Sequence, residues 1–227
     1  MGYAFDWAPL WAHRADLVSG LLTTVLLSAC GLVGAMLVGL PLGLLGASRR
    51  PALRRGVAAV IELVRSVPLL LHIQAWYLGL AALDLPAFLC AALGLSLYSG
   101  VYAAEIVRAG VDGVPAGVLE AARALGLRPL AVGRTVLLPL AWRATAPSLA
   151  SLASQLVKDS SLASVIAVAE LTYQAGAVEA DTFRSVEVYA VLAAAYLSLV
   201  TLLGLAVRGR RAGPGGAGRK RGGAVHA

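Results

Sequence analysis

Polar side chains are scarce in the long apolar stretches of this chain, and the few present limit its chemistry. Glu62 and Arg65 stand three residues apart, as do Glu105 and Arg108. That spacing can bring opposite charges together on one helix face. His72, Gln74, Tyr98 and Ser99 add further polar atoms to apolar surroundings. A charge deep in hydrocarbon costs about 2.5–3.5 kcal/mol on insertion scales, so such groups either pair, bridge helices or face an interior path. Catalytic patterns are missing. His13, His72 and His226 show no metal-ligand spacing, and Cys30 and Cys90 read as small buried side chains. No cluster of carboxylates or histidines forms the acid, base or metal site that a membrane-embedded enzyme needs. No Gly-x-x-x-x-Gly-Lys-Ser/Thr phosphate loop is present.

The elements that hold these residues follow from composition. The 227 residues are 59% hydrophobic and 14% charged, too apolar for a soluble domain. Leu17 to Ser48, Ser66 to Leu83, Leu85 to Ala104, Ala144 to Val157 and Val188 to Val207 contain no Asp, Glu, Lys or Arg. Roughly 20 helical residues cross the hydrocarbon core. We therefore expect an all-α membrane protein with five spans near 17–47, 56–83, 85–107, 135–157 and 187–207. Span two then holds Glu62 and Arg65, and span four holds Arg143. The first run is too long for a cleaved signal peptide, and Asp6 and Asp16 precede it.

Orientation follows from the basic residues, which gather on the cytoplasmic side of short loops. Arg49, Arg50, Arg54 and Arg55 fall after span one, Arg108, Arg123, Arg128 and Arg134 after span three, and six more after Val207. Fourteen of the 19 basic residues thus share one side, which places residues 1–16 outside and the basic tail 208–227 in the cytoplasm. Trp7, Trp11 and Tyr3 suit an outer aromatic belt. The tail's Gly and Ala content suggests disorder. The net charge of +7 is then explained by anionic lipid and needs no nucleic acid.

One cytoplasmic stretch does not belong in the bilayer. Between Arg108 and Arg134 the spacing predicts two short helices, the first from Pro115 to Leu125, with Gly126 at a left-handed terminus and Pro129 opening the second. Coupling helices are thus expected over about 115–133. The first is too short to span, and Val118, Ala122 and Leu125 share a face by spacing.

Within it, Glu120-Ala121-Ala122, then Gly126, then Val136-Leu137-Leu138-Pro139 resembles the EAA loop of permease subunits in ATP-binding cassette (ABC) importers. Val136 stands where isoleucine is commoner. Three further strings are similar to the polar amino acid permeases of that family: Glu62 to Leu70, Tyr98 to Gly110, and Lys158 to Ile166. Leu97 and His72 depart from the usual pattern.

The resemblance implies a type I importer transmembrane domain over 17–207, in the cytoplasmic (inner) membrane of a prokaryote. Its helix at Glu120, Ala121, Ala122, Leu125 and Gly126 would dock on a cytoplasmic ATPase dimer. Magnesium and ATP would sit on those partners, with no cofactor in this chain. A second permease, identical or homologous, and an extracytoplasmic solute-binding protein complete the implied assembly. The implied cargo is a polar amino acid, with an osmolyte such as betaine or ectoine, an opine or a peptide as alternatives. Glu62, Arg65, His72, Gln74, Tyr98 and Ser99 are candidates for the solute path, each with helix contact as its other reading. A stand-alone channel or secondary transporter would leave the Pro115–Arg134 helix pair without a purpose, and five spans do not divide into two inverted halves.

Overall fold

The computed structural model describes residues 4–209. Ten α-helices follow in order: α1 Ala8–Ala12, α2 Arg14–Gly46, α3 Pro51–Arg65, α4 Leu69–Gly79, α5 Ala87–Asp112, α6 Ala116–Ala124, α7 Pro129–Ala131, α8 Leu138–Asp159, α9 Leu171–Thr182 and α10 Ser185–Gly209. A π-helical turn, Val132–Leu137, leads into α8, and a 3-10 helix, Ser160–Ile166, leaves it.

α2, α5 and α10 are each long and apolar enough to cross a bilayer unbroken, with mean hydropathies of 2.2, 1.6 and 2.3. Two further crossings are bent pairs. α3 and α4 meet at 90°, and the α8 segment meets α9 at 53°. Span two is thus broken, where the charge pattern suggested one helix over 56–83. Pro68 explains the break, because it has no N–H for the helix ladder and disfavours helical backbone at Val67. It instead sits at the N-cap of α4 with ψ near 142°.

Glycine spacing decides how the spans pair. α2 buries Gly31, Ala35, Gly39, Gly43 and Gly46 along one face, at steps of three and four. A Cβ on Gly39 would lie 2.7 Å from the carbonyl of Gly100, and one on Gly43 would lie 2.7 Å from that of Ala104. Only glycine lets these backbones approach so closely. The opposite face of α2 exposes Val18, Leu22, Val33 and Leu37 as a lipid-facing surface.

These contacts also fix direction. Gly31 meets Leu95, Gly39 meets Gly100 and Gly46 meets Arg108, so α2 and α5 run parallel. α8 runs against both, since Leu156 lies by Gly31 and Thr145 by Gly110. Leu10 clusters with Val188, and further along both segments Thr24 and Tyr196 meet on Glu170, so α10 runs with α2. Parallel neighbours require a return crossing between them, which α3 with α4, and α8 with α9, provide. Five crossings therefore leave the two ends of the bundle on opposite faces.

The stretch between the expected fourth and fifth spans is not an open loop. Instead α9 continues inward packing, with Ala175 and Val178 buried beside Leu10 and Val188. At the same end of the bundle Arg184 donates to the Ala4 carbonyl at 2.8 Å and the Asp6 amide donates to Glu187 at 3.0 Å, tying the N-terminal segment to the start of α10. Arg208 and Gly209 extend α10, and the rest of the basic tail lies outside the described residues.

Candidate functional site

The polar candidates of α4 and α5 form a ladder. His72 Nε2 donates to the Val64 carbonyl at 2.9 Å, adding to the longer 3.4 Å bond that this carbonyl accepts from the Val67 amide at the α3–α4 break. Its ring lies 5.7 Å from that of Tyr98, and Tyr98 lies 5.2 Å from Tyr102, one turn along α5. The two phenol oxygens are 3.3 Å apart. Arg65 then covers the Tyr102 ring at 5.0 Å, a cation–π arrangement, and donates to Glu105 at 2.7 Å.

This corrects the intrahelical pairing that spacing favours. Arg65 bridges to Glu105 on α5, and Arg108 pairs with Asp112 at 3.4 Å. Among the described residues Glu62 makes no ion pair. The Arg65–Glu105 contact is short and joins two elements across the break, so it holds α3 against α5 at the depth of Tyr102.

A cavity of about 320 Å³ opens beside the ladder, lined by Tyr98, Ser99 and Tyr102 from α5, Gln155 and Asp159 from α8, and Leu69, Leu152 and Leu162. Ser99 is 2% exposed and turns inward. Gln155 donates to Asp159 at 2.8 Å, one turn apart, so the amide steadies the carboxylate. Tyr98, Ser99 and Tyr102 thus share the wall of one mostly apolar cavity with the Asp159 carboxylate. Of the sequence candidates, Tyr98 and Ser99 line this cavity. His72 stands behind Tyr98, Arg65 behind Tyr102, and Gln74 is not in its wall. Glu62 lines a separate cavity toward the α2–α3 turn. Gln155 and Tyr102 were not singled out from the sequence, and Asp159 stood out only within the Lys158–Ile166 string. The i,i+4 pair of Gln155 and Asp159 was the available signal, lying where a charge-free stretch ends.

A second site residue escaped the sequence reading altogether. Glu170 is fully buried and caps α9, accepting from the amides of Thr172 at 2.9 Å and Tyr173 at 2.8 Å. The Tyr196 hydroxyl of α10 donates to it at 3.0 Å, and Thr24 of α2 approaches at 3.4 Å. The Thr24 oxygen in turn accepts from the Leu171 amide at 3.0 Å. One carboxylate therefore joins α2, α9 and α10 through four donors.

Below the bilayer region, α6 is a nine-residue helix about 13 Å long. Pro115 stands at its N-cap, one position before the helix, where spacing had put it in the first turn. Its end is a Schellman closure: the Leu127 amide donates to Ala122 at 3.4 Å and the Gly126 amide to Arg123 at 2.9 Å. Gly126 has φ of +78°, open to glycine without a Cβ penalty. Ala122 is buried toward the π turn, on which α6 rests, whereas Leu125 is 83% exposed. The single face expected for Val118, Ala122 and Leu125 is therefore split. Glu120, Ala121, Leu125 and Gly126 are exposed, and Leu130 of α7 extends the apolar surface beside them.

The comparisons with known proteins agree with this architecture. The model of the binding-protein-dependent transport system inner membrane component matches residues 39–209. The glutamine transport system permease protein GlnP of Escherichia coli (strain K12) is 33% identical over 208 residues, covering 90% of this chain and 95% of its own. The octopine transport system permease protein OccM of Rhizobium meliloti is 34% identical over 206 residues, covering 86% and 84%. A crystal structure of an amino acid ABC transporter with histidines superposes with a TM-score of 0.83 at 30% identity, covering 92% of this chain and all of that one. An inward-facing MetNI methionine ABC transporter shares the fold, with a TM-score of 0.73 at 24% identity over 86% of this chain and 94% of that one. A chain with five crossings, a short helix held off the bundle and this match over most of its length belongs to the binding-protein-dependent transport system inner membrane components, the permease subunits of ABC importers.

Proposed function

We propose that this subunit carries a polar amino acid, or a close derivative such as an opine, through the cavity between α5 and α8. The observation that carries the reading is that Tyr98, Ser99 and the Asp159 carboxylate line one cavity of about 320 Å³. A zwitterion asks for that combination: donors for its carboxylate and an acceptor for its ammonium. The relatives transport glutamine and octopine by their names, which supports the same class of cargo.

Glu120, Ala121, Leu125 and Gly126 form the ATPase-docking surface in this reading, with Ala122 as its internal footing. Two permease subunits, identical or homologous, enclose the path, and ATP with magnesium acts on the ATPase dimer. The N-terminal clasp at Asp6 and Arg184 faces outside toward the solute-binding protein, and the Arg49–Arg55 loop faces the cytoplasm. The basic loops support this orientation.

The test is uptake in proteoliposomes containing the permease, its ATPase and its binding protein. Glutamine and related polar amino acids are expected to accumulate with ATP inside. Saturable uptake that Asp159→Asn leaves unchanged would falsify the assignment of this cavity.

A further inference from the structure

A second cavity, of about 260 Å³, lies where the ends of α2, α3 and α5 converge. Its floor is Gly46, where a Cβ would meet the Arg108 side chain at 3.2 Å and Val57 at 3.3 Å. Arg54 of α3 and Arg108 of α5 reach it from two sides, and Ala58, Ile61, Glu62 and Glu105 complete the wall. Glu105 is already engaged by Arg65 at 2.7 Å, while Arg54 and Glu62 make no ion pair among the described residues. The cavity thus offers the Arg54 guanidinium, a second one shared with Asp112, and the Glu62 carboxylate, which lies within electrostatic reach of Arg65 but in no ion pair among the described residues.

Its setting decides what fits. Arg49, Arg50 and Arg55 crowd the adjoining turn, all exposed. Leu44, Leu45 and Leu53, which flank the same turn in sequence, are 45%, 44% and 37% exposed, so apolar side chains accompany the arginines at this end of the helices. A ligand that presents phosphate to arginines and hydrocarbon to leucines is a phospholipid, and basic pockets between spans hold such headgroups.

We propose that this cavity is a binding site for one phospholipid of the inner leaflet. The phosphate ester sits between Arg54 and Arg108, and a headgroup donor, the ammonium of phosphatidylethanolamine or a hydroxyl of phosphatidylglycerol, reaches Glu62. Phosphatidylcholine binds more weakly, since its quaternary ammonium has no N–H for that carboxylate. The leaflet assignment rests on the proposed orientation, whereas the binding measurement below reads the same on either side.

The assembled importer, purified and delipidated in mild detergent, is exposed to each of the three lipids and read by native mass spectrometry. One retained phospholipid per permease is expected, with ethanolamine and glycerol headgroups favoured over choline by about tenfold, the scale of one charge-assisted hydrogen bond. Glu62→Gln should erase most of that preference, and Arg54→Ala with Arg108→Ala should lower retention of all three by at least about tenfold. Ala58→Phe fills the cavity without touching a charge, so it keeps the question answerable if the arginine variants do not fold. An adduct that survives Ala58→Phe overturns the proposal. So does a wild-type complex that holds no lipid, since a partner subunit then covers the cavity. Displacement of the lipid by excess inorganic phosphate would assign the site to free anions and overturn the lipid reading.

Discussion

At the scale of single residues, the strongest constraints come from positions where one atom cannot be replaced. Gly126 holds φ at +78°, and a side chain there costs about 1–2 kcal/mol in left-handed backbone. Gly126→Leu should therefore loosen the Schellman closure and lower ATP-driven uptake several-fold, while solute-binding protein still docks. Parallel assays of uptake and binding-protein-stimulated ATPase activity check this. Normal import by that variant would remove α6 from the docking role. Glu170 presents a different constraint. Glu170→Ala leaves the Thr172 and Tyr173 amides, and the Thr24 and Tyr196 hydroxyls, without their acceptor. Lost caps and orphaned buried donors cost about 1–3 kcal/mol, so the apparent unfolding temperature in detergent should drop, with Glu170→Gln recovering part of it. In the larger cavity, Asp159→Asn should raise the KM for uptake by about tenfold or more, the loss of one charge-assisted contact, with assembly unchanged.

At the scale of elements, breaks and close approaches set the architecture. Gly39→Leu would drive a branched side chain into the Gly100 carbonyl, only 2.7 Å from a bare Cβ. Overpacking of this kind costs about 1–3 kcal/mol or more, so the variant should yield little monodisperse protein by fluorescence-detected size exclusion. Punctuation residues were readable from sequence because their signals are local: Pro115, Gly126 and Pro129 stand within a residue of their predicted places. The break at Pro68 carried the same signal, yet the absence of charge across Ser66–Leu83 argued for one straight helix. Long-range partners were not readable. Arg65 chooses Glu105 over Glu62, because the bend at Ser66–Pro68 turns α3 across α5, and no spacing rule reports a contact 40 residues away. Nothing local marks Glu170, one of several acidic residues beyond Asp159, as an internal cap with α9 packed behind it.

At the scale of the whole molecule, five crossings with α2, α5 and α10 parallel require termini on opposite faces. A cysteine replacing Asp6 should react with an impermeant maleimide from outside intact cells, and one replacing Ser48 only after lysis, in a background with Cys30 and Cys90 replaced. The reverse pattern would invert the proposed orientation and leave the fold untouched. The sequence carried the number of crossings and the short helix after α5, since composition and local motifs encode both. It did not carry which helices touch, and the larger cavity depends on that: its two walls come from α5 and α8, more than 50 residues apart along the chain.

The glycine face of α2 also bears on how the protein is made. Its partner surface on α5 lies about 60 residues downstream, from Gly39 to Gly100. At ~5–20 residues per second, a ribosome needs several seconds to deliver it. During that interval the first helix stands in the membrane with a groove of bare backbone facing lipid. Insertion must therefore hold an unfinished hairpin open for the third crossing, and the glycines that allow tight packing in the finished subunit are the surface an assembly factor would have to shield at birth.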